Sequence, residues 1–476
     1  MFADRFEITG TLTLDSALHI GCGNILPKRE TDSADAAEPS LSLVCRAEGG
    51  RPIIPGTSLK GALRALLPDP RLGAELFGMI SEHREEAGQI GRLWLRPAPW
   101  VSGPDDRALK DLRRAGDRAR PDAFTRARTR IDRVSGTAEE HLLFNAEVLP
   151  PGATFTFNAL WFVDDAAQPS QREMDNLVTV LRLLTGGISL GRGSRTGDGR
   201  LHLLPQGLKL TGLRLCSDTG ELIPIDTATA DAVTHRVYQA MTPPAATVEA
   251  GVKTLRFACD GPFISVKERQ RGRVAPGQKA KPIEPLCCDG KPMLWPTSVL
   301  GGLRARAAWL AERERLQEYL RKHDYAPGRS ANADLDDRNR VVRTLKDVKA
   351  LSSVERLFGV TGWRGRLAIR SVKWVSGVYD DDSPALTSVS IDRFTGGGRD
   401  GALFTTKTVL DPVFDVSLAI ERSDCLTPAD HDLFELLIED LTAEGNVLFL
   451  GHGAAKGFGW FTVTETAATG GTVNAN

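Results

Sequence analysis

The most chemically loaded run in the chain is LGRGSRTGDG at 190–199, where glycines space two guanidiniums, Arg192 and Arg195. Glycine permits close backbone approach, and guanidinium offers a fork of N–H donors matched to phosphate oxygens, so the run suits contact with a phosphate backbone. A tight hairpin is the plainer reading of any single glycine-rich run. A second cluster is PGTSLKGALR, which places Ser58, Lys60 and Arg64 at the start of an apolar-periodic stretch. A helix opening there directs free N–H groups and partial positive charge outward, which with the two cations suits a phosphate; ordinary capping beside a solvated basic face is the alternative. Residues 104–133 hold ten Lys/Arg against six Asp/Glu, and residues 267–281 hold six against one. Binding to a polyanion backbone scales with such local charge and weakens with salt. The stretch KRETDSADAAEPSLSL carries Asp32, Asp35 and Glu38, oxygen donors of the kind a hard divalent cation prefers. His19 and Cys22 have no second ligand pair at zinc spacing, and Cys287 and Cys288 are adjacent, so no structural zinc is expected and His19 reads as a strand end.

These clusters occur twice. IDRVSGT at 131–137 returns as IDRFTGG at 391–397, and LFNAE at 143–147 as LFTTK at 403–407. At the same offset of 260, Gly191, Gly193, Gly197 and Gly199 match Gly451, Gly453, Gly457 and Gly459. TSLKGALR at 57–64 returns as TSVLGGLR at 297–304, and GRLWL at 91–95 as GRLAI at 365–369. Block order is kept while spacers vary, so the chain reads as two copies of one domain, 1–205 and 252–466, with a linker or peripheral insertion at 206–251 and a flexible tail at 467–476. Each copy opens on an alternating strand (6–20, 254–265) and then reads as a helix start (54–67, 295–310), Thr57 or Ser58 being the N-cap of the first. Short strands follow, then the IDR block, a further strand (153–163, 412–421), a helix (174–184, 429–441) and the glycine loop. That order predicts an α+β fold, two tandem ferredoxin-like domains with helices on one face of each sheet.

Composition narrows the classes. A length of 476 residues predicts about two to four domains, and 41% apolar with 25% charged residues excludes collagen-like, disordered and coiled-coil chains. Lys plus Arg is 60 against 61 for Asp plus Glu, so any polyanion site must be local. No run of 18 uncharged apolar residues and no signal-like start occur, which predicts a cytoplasmic protein without a membrane partner. Seven scattered cysteines without CxxC argue against a disulfide framework.

Taken together, His19-Ile20-Gly21, IPGTSLKG, LFG at 76–78, the RxRIDRxxGTA block and LGRGSRTGDG resemble the RAMP superfamily, specifically the backbone subunits that form the filament of type III CRISPR effector complexes, with a tandem of the III-D-like kind. The resemblance implies an RRM-related fold with a β-hairpin thumb in each domain, and as partners crRNA, a complementary target RNA and other effector subunits. It implies RNA contacts by Ser58, Lys60, Arg64, Arg128, Arg130, Arg133, Arg192 and Arg195 in the first copy, and by Ser298, Arg304, Arg393, His452 and Lys456 in the second. The first thumb would span 128–147, with Leu142, Leu143 or Phe144 as an apolar wedge and Leu403 and Phe404 as its counterpart. Such wedges would unstack nucleotides at intervals of about six. The resemblance also implies Mg²⁺-dependent scission by attack of a 2′-hydroxyl on the adjacent phosphate, needing an Asp in the loop before the IPG helix. Asp35 ranks first, as the Mg²⁺ ligand, and Asp32 second. The second copy departs from the pattern: Leu300 replaces Lys60, GGG replaces GTA, the loop arginines give way to His452 and an alanine, and 267–285 holds Glu268 and Glu284 but no Asp. That copy is expected to bind RNA without cutting it. A non-catalytic RNA-spacing scaffold and a crRNA-processing endoribonuclease are the competing functions.

Overall fold

The computed structural model describes residues 4–27, 40–67, 69–79, 88–113, 117–131, 138–216, 219, 221–241, 252–266, 282–288, 290–322, 341–380, 383, 385–421 and 425–466. At the centre of the first sheet lies Arg5–Leu14, whose period-two alternation buries Phe6, Ile8, Leu12 and Leu14. It pairs antiparallel with Thr154–Phe162 along nearly its whole length, and on its other edge with Arg200–Leu203 and Lys209–Leu215. Leu93–Leu95 and Ala98–Ser102 extend the sheet beyond Thr154–Phe162. The helices Gly56–Leu66 and Gln171–Gly186 present Leu59, Leu63, Leu177, Leu181 and Leu184 to this core. Ser170 and Glu173 form a capping box at the start of the second, as its sequence spacing requires.

The second unit repeats the plan. Val252–Cys259 runs antiparallel to Val409–Ile420 on one side and Trp460–Glu465 on the other, with Leu367–Val378 outside Val409–Ile420. Pro296–Lys322, Ser353–Phe358 and Pro428–Thr442 pack over a core in which Phe263 meets Phe414 and Phe461 edge-on.

Two expectations change. Within 206–251, Lys209–Leu215 is a strand of the first sheet, and Thr227–Met241 is a helix whose Val233, Val237 and Met241 enter the first core. The spacing of those three makes an apolar stripe that must be buried, so the segment to 241 belongs to the first core instead of linking two cores. Neither Thr57 nor Ser58 caps the first helix, which begins at Gly56 with Pro55 in the cap position and no side-chain cap bond. Gly56 passes so close to the Leu95 carbonyl that any Cβ would collide with it.

Each unit carries a two-stranded hairpin off its main sheet: Phe124–Ile131 with Ala138–Val148, and Ala385–Ile391 with Gly398–Lys407. The first is widened at its foot by Leu41–Val44, parallel to Ala138–Val148, and then by Gly21–Leu26. In the second, Ile283 forms the corresponding parallel bridge to Thr406.

Candidate functional site

The foot of the first hairpin is built on a buried charge network. Glu147 is fully buried; its carboxylate accepts from the Val44 N–H at 3.0 Å, the Arg120 N–H at 3.0 Å and Arg46 Nη2 at 2.9 Å. Arg46 also donates to both oxygens of Asp122, at 2.8 and 2.7 Å. His19 lies beside this network and donates from Nδ1 to the Glu147 carbonyl at 2.6 Å, which sets the tautomer. Burial pushes the His19 pKa down, and the charges of Arg192 and Arg128 push it the same way, so the neutral ring turns the Nε2 lone pair toward Ser42 Oγ, 3.4 Å away. The carboxylate-bearing segment leaves the small sheet after Leu26 and re-enters at Leu41, and those two residues are paired partners. Asp32 and Asp35 themselves lie outside the described residues.

The glycine loop closes over this foot. The Arg192 N–H donates to the His19 carbonyl at 2.9 Å, and its guanidinium sits 4.8 Å above the Phe144 ring. Asp198, buried, accepts from both Arg126 and Arg128. Gly193, at φ +83°, leaves no room for a Cβ between that carboxylate and the Arg128 guanidinium. Burial, more than the neighbouring charge of Arg128, pushes the pKa of Arg126 down to about 10, and its guanidinium stacks 3.8 Å from the Trp295 ring of the second unit.

Several residues expected to face RNA have partners within the chain. Arg128 is bound to Asp198. Arg195 runs into the second unit: its guanidinium lies against Gly359 and Gly365, its carbonyl accepts from the Ile369 N–H at 3.0 Å, and burial beside Arg364 pushes its pKa down to about 10. Arg64 donates to the Gly78 carbonyl at 3.0 Å and Arg304 to the Gly359 carbonyl at 2.8 Å, each at the C-terminal end of a short helix, Pro70–Phe77 and Ser353–Phe358. The N–H groups of Ser58 and Ser298 bond to Pro55 and Trp295 carbonyls at 2.9 Å. Arg192, Lys60, Arg393 and Lys456 stay exposed, and His452 is half-buried. Arg133 and the side chains of Arg130 and Leu143 lie outside the described residues.

The expected wedges sit below the apex. Phe144 pairs with Arg128, and Phe404 with Ser388 under Lys456 Nζ, 4.5 Å from its ring; Leu403 is exposed beside it. The apex of the second hairpin is Phe394, at 101% exposure, on a turn in which Asp392 Oδ1 accepts from the Phe394 and Thr395 N–H groups at 2.9 Å. The signal for Phe394 was an aromatic inside the IDR turn itself, a position unfit for a core.

The two feet differ in kind. Arg192 bonds to the His19 carbonyl in the first unit, and His452 bonds in the same way to Ile264 in the second, at 2.9 Å. Ile264, buried, thus replaces His19, and Lys407 stands where the repeat places Glu147. Among the described residues, the first foot joins a strand-end histidine, His19, to a buried carboxylate, Glu147, where the second foot has Ile264 and Lys407.

A profile of the RAMP superfamily matches residues 11–202 and again residues 254–462. The chain belongs to the RAMP superfamily. This RAMP chain is also similar to the CRISPR system Cms endoribonuclease Csm3 of Enterococcus italicus, 26% identical over 215 residues that cover 42% of the chain and 90% of that relative. Its similarity to the Csm3 of Mycobacterium tuberculosis is 29% identity over 165 residues, 33% of the chain and 64% of that relative. Among the described residues of the RAMP chain no helix is long and apolar enough to cross a membrane, and no three His, Cys, Asp or Glu side chains cluster as metal ligands.

Proposed function

We propose that this RAMP chain is a tandem backbone subunit of a type III CRISPR ribonucleoprotein, binding crRNA and a complementary target, with a first unit that cuts target RNA and a second that only holds it. The observation that carries the proposal is the asymmetry of the two feet, His19 and Glu147 against Ile264 and Lys407. Both Csm3 relatives are named as endoribonucleases, which supports that activity here. A ferredoxin-like reading of each unit is supported by the strand order about Arg5–Leu14 and Val252–Cys259, and units of 4–241 and 252–466 by the two cores.

The carboxylates of the segment between Leu26 and Leu41 are the hard oxygen donors that Mg²⁺ takes, and Asp35, then Asp32, would hold it. Bound Mg²⁺ would supply charge stabilisation at the scissile phosphate. The chain itself pairs Leu26 with Leu41 at the two ends of that segment and holds a neutral His19 beside Ser42.

Asp35→Ala in the assembled complex, with guide and labelled target in Mg²⁺, is expected to slow cleavage on the order of 100-fold or more while target binding persists. Unchanged cut sites in both Asp35→Ala and Asp32→Ala would remove the catalytic assignment. Wild-type binding without any cleavage dependent on this subunit would favour the scaffold function, and cutting of free repeat RNA by the isolated chain would favour crRNA processing. At the other hairpin, Phe394→Ala should change stability by less than about 0.5 kcal/mol, because its ring touches only solvent. The same variant should weaken guide–target duplex binding by about tenfold, a wedge worth about 1–3 kcal/mol of stacking; equal affinity in a filter-binding titration would show that the apex does not meet bases.

A further inference from the structure

The socket that receives Arg195 exists twice, and among the described residues only one copy is filled. In the second unit it is formed where Gly359, at the end of Ser353–Phe358, meets Gly365: a Cβ on Gly359 would lie 2.7 Å from the Gly365 nitrogen and 2.9 Å from the Trp363 carbonyl. Val360 and Trp363 exchange backbone bonds at 3.1 and 2.9 Å, and Arg304 caps the Gly359 carbonyl. The first unit reproduces each part. A Cβ on Gly78 would lie 2.9 Å from the Gly91 nitrogen and 2.6 Å from the Gln89 carbonyl, Met79 and Gln89 exchange bonds at 2.9 Å, and Arg64 caps the Gly78 carbonyl.

The surroundings differ in their cover. At the filled socket, the Arg195 guanidinium lies where a Gly365 side chain would start, and Thr196 bridges to Ile369. Ala368 next to Ile369 is fully buried. At the open one, a cavity of about 460 Å³ is lined by Gly78, Gly91, Lys60 and the apolar Met79, Ile90 and Trp94. Those three are 47%, 61% and 49% exposed, and the repeat places Trp94 opposite Ala368. Exposed large apolar side chains around a preformed cleft mark a contact surface.

We infer that the first unit's open socket receives an arginine-bearing glycine loop from a separate RAMP-type subunit. The inference rests on the backbone-subunit function proposed above and names the neighbour on that side. The occupant is argued from the chain itself, which seats its own LGRGSRTGDG loop in the matching socket. It is not a second copy of this chain, because the second unit's loop carries Ala455 where Arg195 stands in the first and has no side chain to reach across. A heterologous contact that the chain cannot make with itself prevents open-ended self-polymerisation and fixes which subunit comes next.

The test places a photo-crosslinking benzoylphenylalanine at Ile90 of the full chain in the purified ribonucleoprotein. The adduct should map by mass spectrometry to a glycine-rich loop with an arginine in another subunit. Adducts with residues 451–459 of a second copy, adducts with RNA, or no adduct would each overturn the inference. In parallel, Ile90→Asp should lower the amount of that neighbour per chain by about tenfold while guide RNA stays bound; undiminished stoichiometry overturns the inference. A wild-type chain that assembles with no RNA would overturn the function beneath it, an outcome distinct from the others.

Discussion

Glu147→Ala should destabilise the first unit by about 3–5 kcal/mol, the cost of removing one partner from a buried ion pair. The carboxylate is fully buried and takes three donors, so its loss orphans the N–H groups of Val44 and Arg120 and leaves Arg46 with Asp122 as its anion and the Gly50 carbonyl. The three donors come from two segments, Leu41–Val44 with its Arg46 extension and the turn before Phe124–Ile131, which Glu147 ties to its own strand Ala138–Val148. Urea unfolding should show the loss in its earlier transition, and hydrogen exchange should rise at 41–46 and 120–126. Glu147→Gln, which keeps an acceptor for the two N–H groups, should recover part of it. A loss below about 1 kcal/mol would mean that Asp122 suffices for Arg46. Because His19 donates to the carbonyl of this same residue, target cleavage should fall in Glu147→Ala even where RNA binding survives.

Asp198→Asn should produce the second large effect, again about 3–5 kcal/mol, since Arg126 and Arg128 would be left as adjacent cations with no anion between them. Here the consequence spreads over both units. Asp198 holds the glycine loop to the hairpin through the two arginines, and Arg126 in turn stacks on Trp295, beside which Phe124 and Val148 pack. Hydrogen exchange should therefore rise at 124–131 and 190–199, and Trp295 emission should shift to the red. The apolar pair Arg126→Met with Asp198→Leu should regain much of the stability, because both desolvated charges are gone, yet should not regain guide RNA affinity if the loop's presentation of Arg192 matters. Red-shifted emission absent from Asp198→Asn would show that the second unit holds Trp295 without help from Arg126.

Much of the architecture was legible from residue order. Phe6, Ile8, Leu12 and Leu14 alternate and form a half-buried strand. The repeated IDR and glycine blocks pointed to two similar units, and two cores with the same central strand pairing are present. Less legible was 206–251, where Pro243-Pro244 and small residues suggested a linker while a modest stripe of Val233, Val237 and Met241 was enough to join its first part to the first core. Glu147 carried no signal, since a glutamate in an alternating strand is as often solvated as buried, and only partners 101 and 103 residues away in sequence make it an anchor.

Sequence by itself determined the family, the duplication, the segments that must be strands or helices, and the loss of Asp from the second loop, because these follow from periodicity and residue identity within short windows. Tertiary structure alone decided which charges remain available. Arg192 and Arg195 lie three residues apart in one loop, yet one stays exposed over Phe144 and the other is drawn into the second unit. Local sequence sets what a guanidinium can bind, while the desolvation it suffers and the carboxylates or glycines it meets are set by distant segments that folding brings against it.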